Sequence, residues 1–239
     1  MSESRFSCLA LGLLVVLSTP SVRADVLFIG DSHSAGVFGE VLDARLRAPG
    51  LSRHSGPRTV ARCGASPSWF YSGVATHCGY FDRGADGKVV RHSHPLRAAT
   101  PLMSTLLAYP VPPGETRITV VALGANMLEL VGSPQGRKAA IGSITRMIET
   151  VHAAASACIW IGPPQMRKYS ARTLELFYGV LAQAVRSSTG ERCVLLDSRR
   201  HTAYPPQGGD GIHYDFPAGA PVARAWANAA FSEIREIVK

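Results

Sequence analysis

No apolar run in this sequence is long enough to cross a bilayer comfortably. A spanning helix needs about 20 apolar residues, and the run from Cys8 to Leu17 falls well short of that. Runs of five or six like charges are also missing, as is any stripe of aromatics between basic residues, which argues against nucleic acid as a partner. No two cysteines stand in a C-x-x-C spacing, so a structural zinc site is disfavoured. There are no internal repeats, no low-complexity tracts and no sign of a second domain.

What the N-terminus does contain is a basic Arg5, the short apolar run, Ser18-Thr19-Pro20, and Val22-Arg23-Ala24 before Asp25. This reads as a signal peptide, residues 1–24, cut after Ala24. The expected location is therefore secreted or periplasmic, with no stable membrane insertion after cleavage. Removing residues 1–24 takes away Arg5, Arg23 and Glu3, so the formal charge drops from +8 to +7. Such a surplus favours contact with anionic surfaces such as cell-envelope polymers. Residues 25–239 are of a size to form one domain with a sizeable core.

Cys8 leaves with the signal, and Cys63, Cys78, Cys158 and Cys193 remain. An even count in an exported chain suggests two disulfides, with three pairings possible. We favour Cys63 with Cys78 and Cys158 with Cys193. The latter two each open a strand-like run, and neighbouring strands lie about 4.8 Å apart. Each bridge would stabilise by about 3 to 4 kcal/mol.

Four continuous apolar runs, Val26 to Ile29, Ile118 to Leu123, Cys158 to Ile161 and Cys193 to Leu196, read as strands covered on both faces. A weaker run surrounds Thr59 to Ala61. Between them lie helical spacings: Ile141, Ile144, Ile148 and Val151 share one face, as do Leu174, Phe177, Leu181 and Val185. Near the end, Pro217 could open a helix whose stripe is Val222, Trp226, Ala230 and Ile234. The alternation predicts a three-layer α/β/α sandwich on a flavodoxin-like parallel sheet of about five strands. Residues 63–100 lack the rhythm and read as a loop-rich insertion, where Asp86-Gly87 could turn a small hairpin.

In such sheets, sites form beyond the carboxyl ends of strands. The residues able to do chemistry stand there. Gly30-Asp31-Ser32-His33 follows the first strand, so a hydroxyl projects above the sheet at the positive end of a helix. Cys63-Gly64-Ala65-Ser66 follows the second, Leu123-Gly124-Ala125-Asn126 the third, and Asp210-Gly211-Ile212-His213 lies beyond the last. Three residues of separation can bring a carboxylate to an imidazole Nδ1, leaving Nε2 free to take a proton.

These four blocks, in this order from residue 26 to residue 213, resemble those of the SGNH (GDSL-like) hydrolases. The resemblance implies the SGNH hydrolase fold and a serine esterase. In it Ser32 is the nucleophile, His213 the general base and then acid, and Asp210 the residue that orients His213. The oxyanion would be held by the Ser32 and Gly64 N–H groups and the Asn126 amide, each donor worth about 3 to 4 kcal/mol. No metal or organic cofactor is expected. His33 stands where many members have leucine, and Met127 where many have Asp. The Gly-Asp-Ser-His variant resembles domains that handle acyl groups on envelope polysaccharides, so the expected substrate is an acylated polysaccharide or small ester, probed at short acyl chains, acetyl above all. Alternatives within the same site are a lysophospholipase or thioesterase and an O-acyltransferase. A polysaccharide-binding module without catalysis is the alternative outside enzymology.

Other residues have plainer readings. Asp31 suits turn stabilisation, and Asp197 is second to Asp210 as a partner for His213. His33 and Trp69 are candidate substrate contacts, although His33 also fits a pocket wall, and Trp69, Phe70 and Tyr71 fit loop packing as well as a sugar-stacking wall. His92 and His94 have a spacing that could ligate a metal, but no carboxylate partner is evident nearby and solvated loop histidines explain them better.

Overall fold

The computed structural model describes residues 24–48, 51, 58–92, 97–188 and 193–238. The signal segment up to residue 23, together with His94, lies outside the described residues. Strand β1, Ala24–Gly30, is buried along its whole length. Its continuous apolar run is two interleaved faces. Leu27 and Ile29 enter one core, while Val26 and Phe28 enter the other. The same alternation runs along β5, Thr116–Ala122, where Ile118 and Val120 face one side and Val121 the other. Burying each such side chain stabilises the fold by about 1.5 to 3 kcal/mol, and doing so on both faces is why no polar period shows.

Helices α5, Pro134–Ala153, and α6, Ala171–Ser187, cover one face through Ile144, Ile148, Val151, Leu174, Phe177 and Leu181. Helices α2, Val37–Leu46, and α7, Ala220–Ile237, cover the other through Phe38, Leu42, Trp226, Ala230 and Ile234. Helix α7 opens later than expected. Phe216 O accepts the N–H groups of Gly219 and Ala220 in a turn, and Pro221 in place of Pro217 occupies the first helical turn, where its missing N–H costs no bond. Among the described residues no helix is long and apolar enough to cross a membrane.

Among the described residues the sheet has seven strands, not five, in the order β4-β3-β2-β1-β5-β6-β7. Strands β2 (Arg58–Arg62), β1, β5, β6 (Ala157–Ile161) and β7 (Cys193–Leu196) are parallel. Taken alone these five follow the expected flavodoxin-like order. The two extra strands, β3 (Tyr80–Arg83) and β4 (Val89–His92), form an antiparallel hairpin added to β2. Its turn is the one expected at Asp86-Gly87, with Asp86 accepting the Lys88 N–H at 2.9 Å. The expectation failed only in treating the hairpin as separate from the sheet. Strand β3 is polar, Tyr-Phe-Asp-Arg, and β4 is largely exposed, so neither carries an apolar run. What attaches them is an ion pair: buried Arg62 on β2 grips Asp82 with both terminal nitrogens, at 2.5 and 3.0 Å.

Both favoured disulfides are present, with Cα separations of 5.5 Å for Cys63–Cys78 and 4.4 Å for Cys158–Cys193. The second joins residues directly opposite each other on β6 and β7.

Candidate active site

Ser32 opens helix α1, Ser32–Ala35, two residues beyond the end of β1. The turn is held by Asp31, whose carboxylate accepts the His33 N–H at 3.0 Å and whose own N–H reaches Ala122 O on β5. Asp31 is fully enclosed. Burial pushes its pKa up to about 6, against the lowering pull of the His33 N–H, the charge of His213 and the N–H groups of Ala125 and Gly124. It therefore acts on the backbone, as its turn reading implied. The same contacts bind the block after β1 to the block after β5.

On the far side of the chain, the loop carrying Asp210 and His213 comes back over Ser32. His213 Nε2 lies 2.9 Å from Ser32 Oγ, and His213 Nδ1 lies 2.5 Å from Asp210 Oδ2. The other Asp210 oxygen accepts the N–H groups of Ile212 and His213, at 2.8 and 2.7 Å. Its partial burial pushes upward, but the hydrogen bonds from the His213 ring and from the two N–H groups carry its pKa down to about 2. Gly211 has φ +86, a left-handed conformation that lets the turn close between carboxylate and imidazole.

Two residues not anticipated in the sequence hold this loop. Tyr204 Oη accepts the Gly211 N–H and donates to His213 O, both at 2.9 Å. Asp215 Oδ1 accepts the Val37 N–H at 2.7 Å, fastening the loop to the start of α2. Asp215 sits two residues beyond His213, and its carboxylate at a helix N-terminus is ordinary capping chemistry. No pattern within the sequence pairs it with Val37.

The three expected oxyanion donors differ in their hydrogen bonding. The Ser32 and Gly64 N–H groups have no hydrogen-bond partner among the described residues. Gly64 takes φ +84, and a Cβ there would stand 3.2 Å from the Trp69 ring, so only glycine suits this close turn. Asn126, the second residue of a 3-10 segment, Ala125–Gly132, donates one amide hydrogen to Ala65 O at 3.0 Å. Its second amide hydrogen is left to donate.

Three other candidates lie elsewhere. His33 does not line the cleft. It is buried with its ring 5.5 Å from that of His213, 5.8 Å from Trp226 and 6.2 Å from Tyr214, and burial holds its pKa down at about 3. It is a wall behind His213, the plainer of its two readings. Trp69 packs on the core beside Gly64 and is likewise not a cleft residue. Phe70 is buried and Tyr71 donates to Thr150, so this aromatic triplet serves packing. Asp197 pairs with Arg199 at 2.6 and 2.8 Å, well occupied away from His213.

The cleft above Ser32 and His213 has a volume of about 650 Å³. One wall is α1 and the start of α2, with Val37 and Glu40. The other is the Cys63–Cys78 disulfide and the β3–β4 hairpin, with Tyr80, Arg91 and His92.

No family model matches the sequence, and no curated protein matches it. Solved structures do match. TesA is 18% identical, with 89% of this chain and 99% of that chain covered at a TM-score of 0.54. A GDSL-like lipase from Bacteroides thetaiotaomicron is 10% identical, with 88% of each chain covered at a TM-score of 0.50. At such identities the likeness establishes the fold, which is the mixed α/β fold of these hydrolases.

Proposed function

We propose that this chain is an exported serine esterase that removes short acyl groups, chiefly acetyl, from a carbohydrate or cell-envelope polysaccharide. The observation that carries this reading is the continuous line from Asp210 through His213 to Ser32, at 2.5 and 2.9 Å. In the mechanism, Ser32 Oγ bonds to the ester carbonyl carbon as His213 Nε2 takes its proton. The oxyanion is met by the Ser32 and Gly64 N–H groups and the Asn126 amide. Collapse breaks the bond to the alcohol, which leaves with the proton from His213. Water then attacks the acyl-enzyme, gives its proton to His213, and the carboxylic acid departs as the proton returns to Ser32 Oγ. Asp210, ionised because its pKa lies near 2, keeps the proton of His213 on Nδ1.

The substrate class rests on the cleft lining. Glu40, Tyr80, Arg91, His92 and Asp215 stand among its lining residues. A long acyl chain would strip water from these groups without replacing their hydrogen bonds, at a cost of kilocalories per group. Export is supported by the two disulfides, which persist in oxidising compartments. The test is Ser32→Ala, expected to lower kcat for 4-nitrophenyl acetate about a millionfold with an unchanged circular dichroism spectrum. Undiminished hydrolysis by the folded variant would sink the mechanism.

A further inference from the structure

Glu40, Tyr80, Arg91 and His92 line the same cleft as Ser32, yet no chemical step above uses them. Tyr80 on β3 and His92 on β4 are directly opposite residues, with ring centroids 5.0 Å apart. Behind Tyr80, the buried Arg62 guanidinium lies 5.0 Å from the ring centre and is itself anchored by Asp82. The aromatic pair is therefore backed by a fixed cation. Beside it, Arg91 pairs with Glu40 on α2 and donates to Ala35 O at 3.2 Å. The ion pair bridges the mouth of the cleft from one wall to the other.

This combination has a definite chemical preference. An arginine fork paired with a carboxylate offers donors and acceptors side by side, as neighbouring sugar hydroxyls require. Flat rings next to it suit the C–H face of a pyranose. The charges of Glu40 and Arg91 balance, so the match is to neutral hydroxyls. Strand β3 lies two strands from β1, hence about 10 Å to the side of the nucleophile strand. An acetyl group does not extend that far, so the part of the substrate that reaches the hairpin is the alcohol half.

We propose that Glu40, Tyr80, Arg91 and His92 form a subsite for a hydroxyl-bearing sugar ring on the alcohol side of the scissile ester. This rests on the esterase reading for where that ester lies. The test compares Arg91→Ala and His92→Ala with wild type on 4-nitrophenyl acetate and on an O-acetylated xylo-oligosaccharide. The expected result is a fall of about tenfold or more in the ratio of kcat/KM for the oligosaccharide to that for the nitrophenyl ester, the size expected when a charged hydrogen-bonding partner is lost. An unchanged ratio, including equal losses on both substrates, overturns the subsite. A second measurement titrates the deacetylated oligosaccharide into Ser32→Ala and into Ser32→Ala/Arg91→Ala. Binding at least about tenfold weaker in the double variant supports the subsite, while equal affinity or no binding to either protein overturns it. Persistent nitrophenyl acetate hydrolysis by Ser32→Ala would defeat the esterase mechanism alone, because the titration reads the subsite without turnover.

Discussion

Asp31 and Asp210 stand on either side of the Ser32–His213 contact, one at the enclosed carboxyl end of β1 and the other on a half-exposed loop. Burial raises the first to about 6, while hydrogen bonds lower the second to about 2. The same side chain thus does two different jobs. Asp31 spends its acceptors on backbone N–H groups and fixes the nucleophile turn. Asp210 spends its acceptors on His213 and the Ile212 N–H, which together outweigh the upward push of its partial burial. The Ser32 half of the site is built into the core, and the His213 half is held within its own loop by Tyr204 and Asp210 and fastened to the start of α2 by Asp215.

The sharpest way to break this contrast is at the exposed carboxylate. Asp210→Asn keeps the shape but allows the wrong His213 tautomer, and kcat should fall about ten-thousandfold in steady-state assays on 4-nitrophenyl acetate. A loss of less than tenfold would show that His213 is oriented by something else. Next comes the amide held by Ala65 O. Asn126→Ala should lower kcat by a hundred- to a thousandfold with KM little changed, and a smaller loss would leave the oxyanion to the two N–H groups.

The smallest effect is on stability, and it tests the buried member. Below about pH 4 folded and unfolded chains both hold the Asp31 proton. Between pH 4 and 6 the unfolded chain releases it and the folded chain keeps it, so this group's stabilising contribution is lost as pH rises. A change from 3.8 to about 6 is worth about 3 kcal/mol. His33, held down at about 3, works in the opposite sense, its contribution being lost as pH falls from 6.5. Comparing Asp31→Asn with wild type isolates the aspartate. Urea unfolding from pH 4 to 7 should show the variant gaining about 3 kcal/mol relative to wild type. A flat difference across that window would remove burial as the cause.

The parallel strands were legible because burial on both faces leaves nothing but apolar residues, as in Val26 to Ile29. The hairpin's turn was legible at Asp86-Gly87, but its place in the sheet was not, since Asp82 and Arg62 attach it through a long-range ion pair rather than a periodic pattern. The line from Asp210 through His213 to Ser32 was legible because Ser32 follows a strand's carboxyl end and Asp210 and His213 keep a recognisable local spacing. Asp215 and the wall formed by Tyr80 and Arg91 were not, because each works through a partner outside any local spacing, and Tyr204 was not, because its hydroxyl bonds across an irregular loop to Gly211 and His213. His33 and Trp69 each had a packing reading beside the substrate one, and packing against Trp226 and Gly64 respectively fits the plainer reading.

The Ser32–His213 contact closes a span of 181 residues. During synthesis the nucleophile leaves the ribosome first and its base close to last, a delay of roughly ten to forty seconds at about 5 to 20 residues per second. On the proposed mechanism Ser32 has no base beside it through that interval, and hydrolytic competence would arrive late, when the loop carrying His213 closes over Ser32.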